Sequence, residues 1–257
     1  LIGWAINHPV GIITGALVDW WYKQSPQPGA GLPESLKTMF TDLCNPANVS
    51  YRAGRVILAS HAISLYRTDE AWATQCLAPL FDWSRSADEA RVAWSGFLWS
   101  PQLYRPFLTT VKRSFLESAG HYSDLGEQRT RYAEFLAIAA VDRGDTFTAE
   151  EMRQATALLP TEGLVSSMYV LARSAEGAGQ RQMEYWTNRI GPYIHDIWPK
   201  SKDLLTDELR KALAELCVAA GAAFPAAYHD LKGWLRPVQY PELILHRAKN
   251  QKICERF

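Results

Sequence analysis

The chain has 257 residues, enough to bury a large core, and its 47% apolar and 21% charged content is that of an ordinary globular protein, not a disordered one. Twenty-seven basic residues balance 27 acidic ones, which excludes the long-range field used by nonspecific nucleic-acid or acidic-membrane binders. The four cysteines, Cys44, Cys76, Cys217 and Cys254, show no C-x-x-C or other ligand spacing and read as reduced thiols of a cytoplasmic protein.

Asn7-His8-Pro9 opens the first helix, with Pro9 in its first turn and Val10, Ile13, Leu17, Trp20 and Trp21 as its apolar side. Its longest apolar window, Val10 to Leu17, is too short to span a bilayer and no basic signal region precedes it, so neither membrane insertion nor export is expected. Gly11 and Gly15 on this helix read as close helix packing. Prolines and glycines from Ser25 to Leu32 end it, and a second helix runs from Pro33 to about Cys44, before Asn45-Pro46. Asn48-Val49-Ser50 matches a glycosylation acceptor, a tripeptide common by chance, and nothing else points to secretion. Val56, Ala59, Ile63 and Tyr66 mark a third helix, and Asp69 to about Phe81 a fourth, bent near Pro79.

Residues 86 to 118 read as two helices folded back on each other. Ala90, Ala93, Trp94, Phe97 and Leu98 form one stripe, with Ser86 and Glu89 as a capping box. Ser100-Pro101 starts the return arm, whose face is Tyr104, Phe107, Leu108, Val111 and Phe115. Trp94 and Phe97 are expected to be buried.

Leu125 to Val141 carries Tyr132, Phe135, Leu136, Ala139 and Ala140 on one face, closed by Arg143-Gly144-Asp145. Thr148 with Glu151 makes a second capping box, before a helix ending at Leu159-Pro160. Leu164, Met168, Leu171 and Ala175 follow, then Trp186, Ile190, Tyr193, Ile194 and Ile197 as a helix stopped at Trp198-Pro199. Thr206 precedes the cleanest stripe, Leu209, Ala212, Leu213, Leu216 and Cys217, ended by Gly221. Two more helices, Pro225 to Leu235 and Pro241 to the end, complete the set.

The fold class is therefore all-α, an irregular array of helical hairpins of the HEAT/TPR-like α-solenoid kind, without strict repeat identity. No linker is polar enough to divide it, so residues 1–257 read as a single helical-repeat-like domain. The chain begins at Leu1 instead of Met and ends within a charged helical pattern at Phe257, so both ends are expected to be cuts in a longer polypeptide.

Residue chemistry assigns no catalytic, cofactor-binding or metal-binding position. His8, His61, His121, His195, His229 and His246 lack H-x-x-x-H or H-E-x-x-H spacing, and His195-Asp196 are helix neighbours that point apart. Nucleophile-elbow, P-loop and dinucleotide glycine patterns are missing. The chain itself is not expected to be an enzyme, and a hydrolase would need His and carboxylate side chains gathered by the fold. Ten tryptophans, Trp20, Trp21, Trp94, Trp99, Trp186, Trp198 and Trp234 among them, exceed what core filling asks for, and Trp is a preferred protein-binding anchor. Arg247, Lys249, Lys252 and Arg256, opposed by Glu255, read as a solvated face and not as a nucleic-acid contact.

Several blocks occur together and in order: Asn7-His8-Pro9, Ala93-Trp94-Ser95-Gly96-Phe97-Leu98-Trp99-Ser100, Tyr185-Trp186-Thr187-Asn188-Arg189-Ile190, Ile197-Trp198-Pro199-Lys200-Ser201, Ala223-Phe224-Pro225 and Trp234-Leu235. From about Trp4 to Phe257 the chain resembles the C-terminal helical region of large bacterial sirtuin-like proteins associated with anti-phage defence. The resemblance implies an NAD-consuming domain upstream and a sensor, regulatory or assembly role for the helical array. None of that catalytic domain lies in this sequence, so no catalytic residue carries over. The implied partner is a protein, either a phage protein or the parent's own effector domain, with no cofactor and no membrane. Structural oligomerisation without sensing is the alternative.

Overall fold

The computed structural model describes residues 1–100 and 102–235, and among them it contains helices and no strand. They form an irregular all-α array. The expected helix from Pro241, with Arg247, Lys249, Lys252, Glu255 and Arg256, lies outside the described residues, as do Pro101, His246 and Cys254. Where the sequence offered one domain over 1–257, the helices gather into two compact units, Leu1–Gln128 and the remainder from Arg129. No polar linker is needed at the junction. Gly126, inside the 3-10 stretch Tyr122–Gln128, takes a φ of 56° and turns the chain within one residue.

The first unit runs through α1 (Ile2–Asn7), α2 (Pro9–Lys23), α3 (Glu34–Leu43), α4 (Arg52–Ser60), α5 (Ala62–Thr68), α6 (Glu70–Trp72), α7 (Ala87–Phe97), α8 (Arg105–Thr110) and α9 (Lys112–Glu117). α4 is its hub, with every residue from Ala53 to Ala59 buried and with α1, α2 and α7 packed around it. Small residues permit that crowding. A Cβ on Gly96 of α7 would lie 2.2 Å from the Val56 carbonyl oxygen, so the two backbones touch. The third helix expected from Val56 to Tyr66 is broken at His61, where the backbone turns to φ −106° and ψ 12°, although Val56, Ala59, Ile63 and Tyr66 are all buried as expected.

Being buried all round, α4 also carries a charge inward. Arg55 is 0% exposed. Its Nε donates to Glu89 Oε2 at 2.6 Å, and its Nη1 donates to the carbonyls of Leu43, Asn45 and Asn48. Arg52 donates to the other oxygen of Glu89 at 3.1 Å. The capping box read at Ser86 and Glu89 is thereby half correct. Ser86 Oγ accepts from the Glu89 N–H at 3.3 Å, while the Glu89 carboxylate turns to the guanidinium groups. A buried arginine without a carboxylate costs far more than one free N–H at a helix start, and that difference decides the side chain's direction.

The hairpin at 86 to 118 also differs from expectation. α7 packs chiefly on α4, and the return arm starts at Arg105 with Pro106 in its first turn, then breaks at Val111. Aromatic rings connect the arms: Phe97 to Phe107 at 5.3 Å and Trp94 to Phe115 at 5.9 Å. Trp94 and Phe97 are buried as expected, and the Trp94 indole N–H donates to the Phe81 carbonyl at 3.1 Å.

The second unit comprises α10 (Arg129–Val141), α11 (Ala149–Ala157), α12 (Thr161–Gly177), α13 (Gln182–Tyr185), α14 (Asp207–Ala219) and α15 (Phe224–Leu231). α12 is central, with α10 and α14 against it. The Thr148–Glu151 capping box forms in both directions, and Thr206 caps α14 by accepting from the Leu209 N–H. Leu209, Ala212, Leu213, Leu216 and Cys217 are buried, and Gly221 ends the helix at a φ of 53°. The helix expected over Trp186 to Ile197 is two π segments, Trp186–Ile190 and Tyr193–Ile197, separated by Pro192, which has no N–H to continue a ladder.

Candidate protein-interaction surface

The stripe expected to bury α2 is the one the fold rotates away. Its buried residues are Gly11, Thr14, Val18 and Trp21, whereas Ile13 is 61% exposed and Trp20 48% exposed. α1, a helix the periodicity did not reveal, is the cause. Gly11 lies so close to α1 that a Cβ there would sit 1.8 Å from the Ala5 carbonyl oxygen. Thr14 becomes buriable because its hydroxyl donates to the Val10 carbonyl at 2.7 Å and needs no other partner. With that side turned inward, Ile12, Ile13, Ala16 and Trp20 face outward. α2 is thus apolar around its whole circumference, a pattern that belongs to a helix covered on all sides.

A groove of about 490 Å³ runs beside this face, with Ile6, Gly15, Tyr22, Ile63 and Trp99 among its lining residues. Trp99 is 62% exposed. The Tyr22 hydroxyl lies 3.1 Å from His61 Nδ1, and burial holds the His61 pKa below its usual value against the opposing pull of Asp19. A neutral imidazole suits an apolar groove. Gly15 meets nothing within 4 Å of its Cβ position, so the close packing expected for Gly11 and Gly15 exists within the unit at Gly11 alone. Of the ten tryptophans, Trp4, Trp20 and Trp99 are exposed and all belong to the first unit, while Trp21, Trp72, Trp83, Trp94, Trp186 and Trp198 are buried. The sequence had marked Trp20 and Trp99 only as members of a set; α1 and its Trp4 went unread.

The remaining polar residues resolve into structural partnerships. His8 caps α2 by accepting from the Val10 N–H. His121 stacks on Trp83 at 4.0 Å and its Nδ1 lies 2.9 Å from Asp124 Oδ2. His195 pairs with Asp230 at 3.1 Å, not with adjacent Asp196, and the other Asp230 oxygen accepts from the Trp186 indole at 2.9 Å. His229 is exposed. Cys44 and Cys217 are buried thiols, and burial pushes the Cys217 pKa up to about 12, away from thiolate chemistry. In the second unit a cavity of about 720 Å³ holds Arg181 and Arg189 with Asp142 and Glu184, and Arg189 is already bonded to Asp142 at 2.7 Å. Among the described residues, no group of three or more His, Cys, Asp or Glu side chains is placed to hold a metal ion, and no helix is long and apolar enough to cross a membrane.

No family model matches the chain, and no solved structure matches it. A stretch of 74 residues is 32% identical to the uncharacterized protein y4cA of Sinorhizobium fredii (strain NBRC 101917 / NGR234), covering 28% of this chain and 6% of that relative. The chain therefore spans a small part of the curated relative it is similar to.

Proposed function

We propose that this chain is a noncatalytic protein-interaction module that docks a protein partner on the outward face of α2 and the adjoining groove. One observation carries the reading: α2 is apolar on every side, yet its own unit covers one side of it. The order of sequence blocks shared with sirtuin-like defence proteins supplies the setting, a cytoplasmic bacterial anti-phage protein whose effector lies elsewhere in the polypeptide. A phage protein or the parent's effector domain would act by binding one arrangement of the array better than another, since only such a difference shifts an equilibrium.

Ile13→Glu and Trp20→Glu in the full-length protein test this. Both side chains are exposed, so the unfolding midpoint and cellular level should stay near wild type while protection against phage is lost. Undiminished protection by both variants overturns the reading.

A further inference from the structure

The occupant of this face can be named from its own residue order. Ile12, Ala16 and Trp20 stand four residues apart and form one ridge along the outward side of α2, large-small-large about Ala16. Such a ridge is self-complementary under a two-fold axis. Turned through half a revolution about Ala16, residue 12 of one helix meets residue 20 of the other, and the small residue lets the backbones approach.

Charge selects the same arrangement. Between Leu1 and Pro33 the sequence has two charged side chains, Asp19 and Lys23. A parallel pairing of two such helices would set Asp19 against Asp19 and Lys23 against Lys23. The antiparallel one opposes Asp19 to position 13 and Lys23 to position 9, both apolar, so like charges stay apart.

Area agrees as well. With the neighbouring Leu1, Trp4, Ile6, Tyr22 and Trp99, the exposed portions of Ile12, Ile13 and Trp20 amount to roughly 800 Å², the share one partner contributes to a standard stable interface. Homodimer interfaces are the apolar kind.

We infer that the partner on this face is a second copy of the chain, the two α2 helices crossing antiparallel about a two-fold axis at Ala16. The inference rests on the docking reading above and deepens it. The resulting contact is isologous and closed, so it yields dimers and not filaments.

The 257-residue chain should sediment as a dimer, and Ile12→Glu should weaken association on the order of 100-fold without altering its far-ultraviolet dichroism. A residue on the axis meets its own copy. Ala16→Cys should therefore give an intermolecular disulfide on mild oxidation, above the background of the native thiols. Trp20→Cys should not, because the two copies of position 20 would lie roughly 12 Å apart. Ile12→Lys combined with Trp20→Glu should restore the dimer at low salt by placing opposite charges face to face. A chain that stays monomeric at every concentration overturns the inference, as does cross-linking at Trp20→Cys equal to that at Ala16→Cys. A monomer that floats with phosphatidylcholine vesicles also overturns it. If the chain is monomeric while Trp20→Glu still abolishes protection, the dimer fails and the docking reading stands; if protection is unaffected, the docking reading itself has failed.

Discussion

Arg55 and Glu89 show how a single residue can hold a unit together and still be misread. The guanidinium spends its donors on one carboxylate and three backbone carbonyls, so the ion is compensated although fully buried. Removing the carboxylate leaves a buried cation. Glu89→Ala should lower unfolding free energy by about 3–5 kcal/mol in urea titrations, and a loss below about 1 kcal/mol would show that water reaches Arg55. Adding Arg55→Met to Glu89→Leu should recover part of that loss and no more, because the carbonyls of Leu43, Asn45 and Asn48 then lack their donor. Asp69 offers a residue-level pH test. Burial alone would raise its pKa, but the N–H groups of Trp72 and Leu32 and the ammonium of Lys37 donate to it at 3.0 to 3.2 Å and hold it below the usual value. A depressed acid stabilises the fold fully above its unfolded pKa of about 3.9, and that contribution disappears as pH falls through the lower folded value. Between about pH 6 and about pH 3, Asp69→Asn should therefore lose less stability than wild type, and parallel losses would assign the acid sensitivity elsewhere.

Helices as elements were legible wherever polar and apolar faces alternate cleanly. α10, α12 and α14 bury the stripes read from their periodicity, and the caps at Ser86, Thr148 and Thr206 all form. α2 was misread for a physical reason. A helix apolar all round has no polar face to fix its phase, so the neighbour decides which side is buried, and that neighbour was the short α1. The partnership of Arg55 with Glu89 was hidden because the two lie far apart in sequence, and the docking face because exposure is a property of the folded unit. Gly96 tests the α4–α7 crossing that positions both. Ala at this site would push its Cβ to 2.2 Å from the Val56 carbonyl and 2.9 Å from the Ala59 Cβ. Backbone cannot yield as a side-chain tip does, so Gly96→Ala should cost about 1–3 kcal/mol despite improving helix propensity. Trp94→Ala, two residues earlier, should cost about 3–5 kcal/mol, since the ring is fully buried among Phe81, Phe97 and Phe115. Thermal unfolding of the pair separates the two effects: Gly96→Val should be worse than Gly96→Ala, whereas Trp94→Phe should be milder than Trp94→Ala.

For the whole molecule, zero formal net charge and a nearly uncharged N-terminal face set the response to salt. Contacts made by ion pairs or by phosphate neutralisation weaken as salt rises, steeply so for nucleic acid, where displaced counterions must be released. Contacts made by apolar burial do not, and sulfate strengthens them by raising the cost of exposed hydrocarbon. Association through α2 should therefore hold its affinity within a few-fold between about 0.1 M and about 1 M NaCl, and tighten in sulfate. Its calorimetric signature should be a negative heat-capacity change, the mark of apolar surface leaving water. Sedimentation equilibrium across the two salts decides the matter. A tenfold loss of affinity in high salt would move the contact off Ile12, Ile13, Ala16 and Trp20, because none of these four side chains carries a charge for the salt to screen.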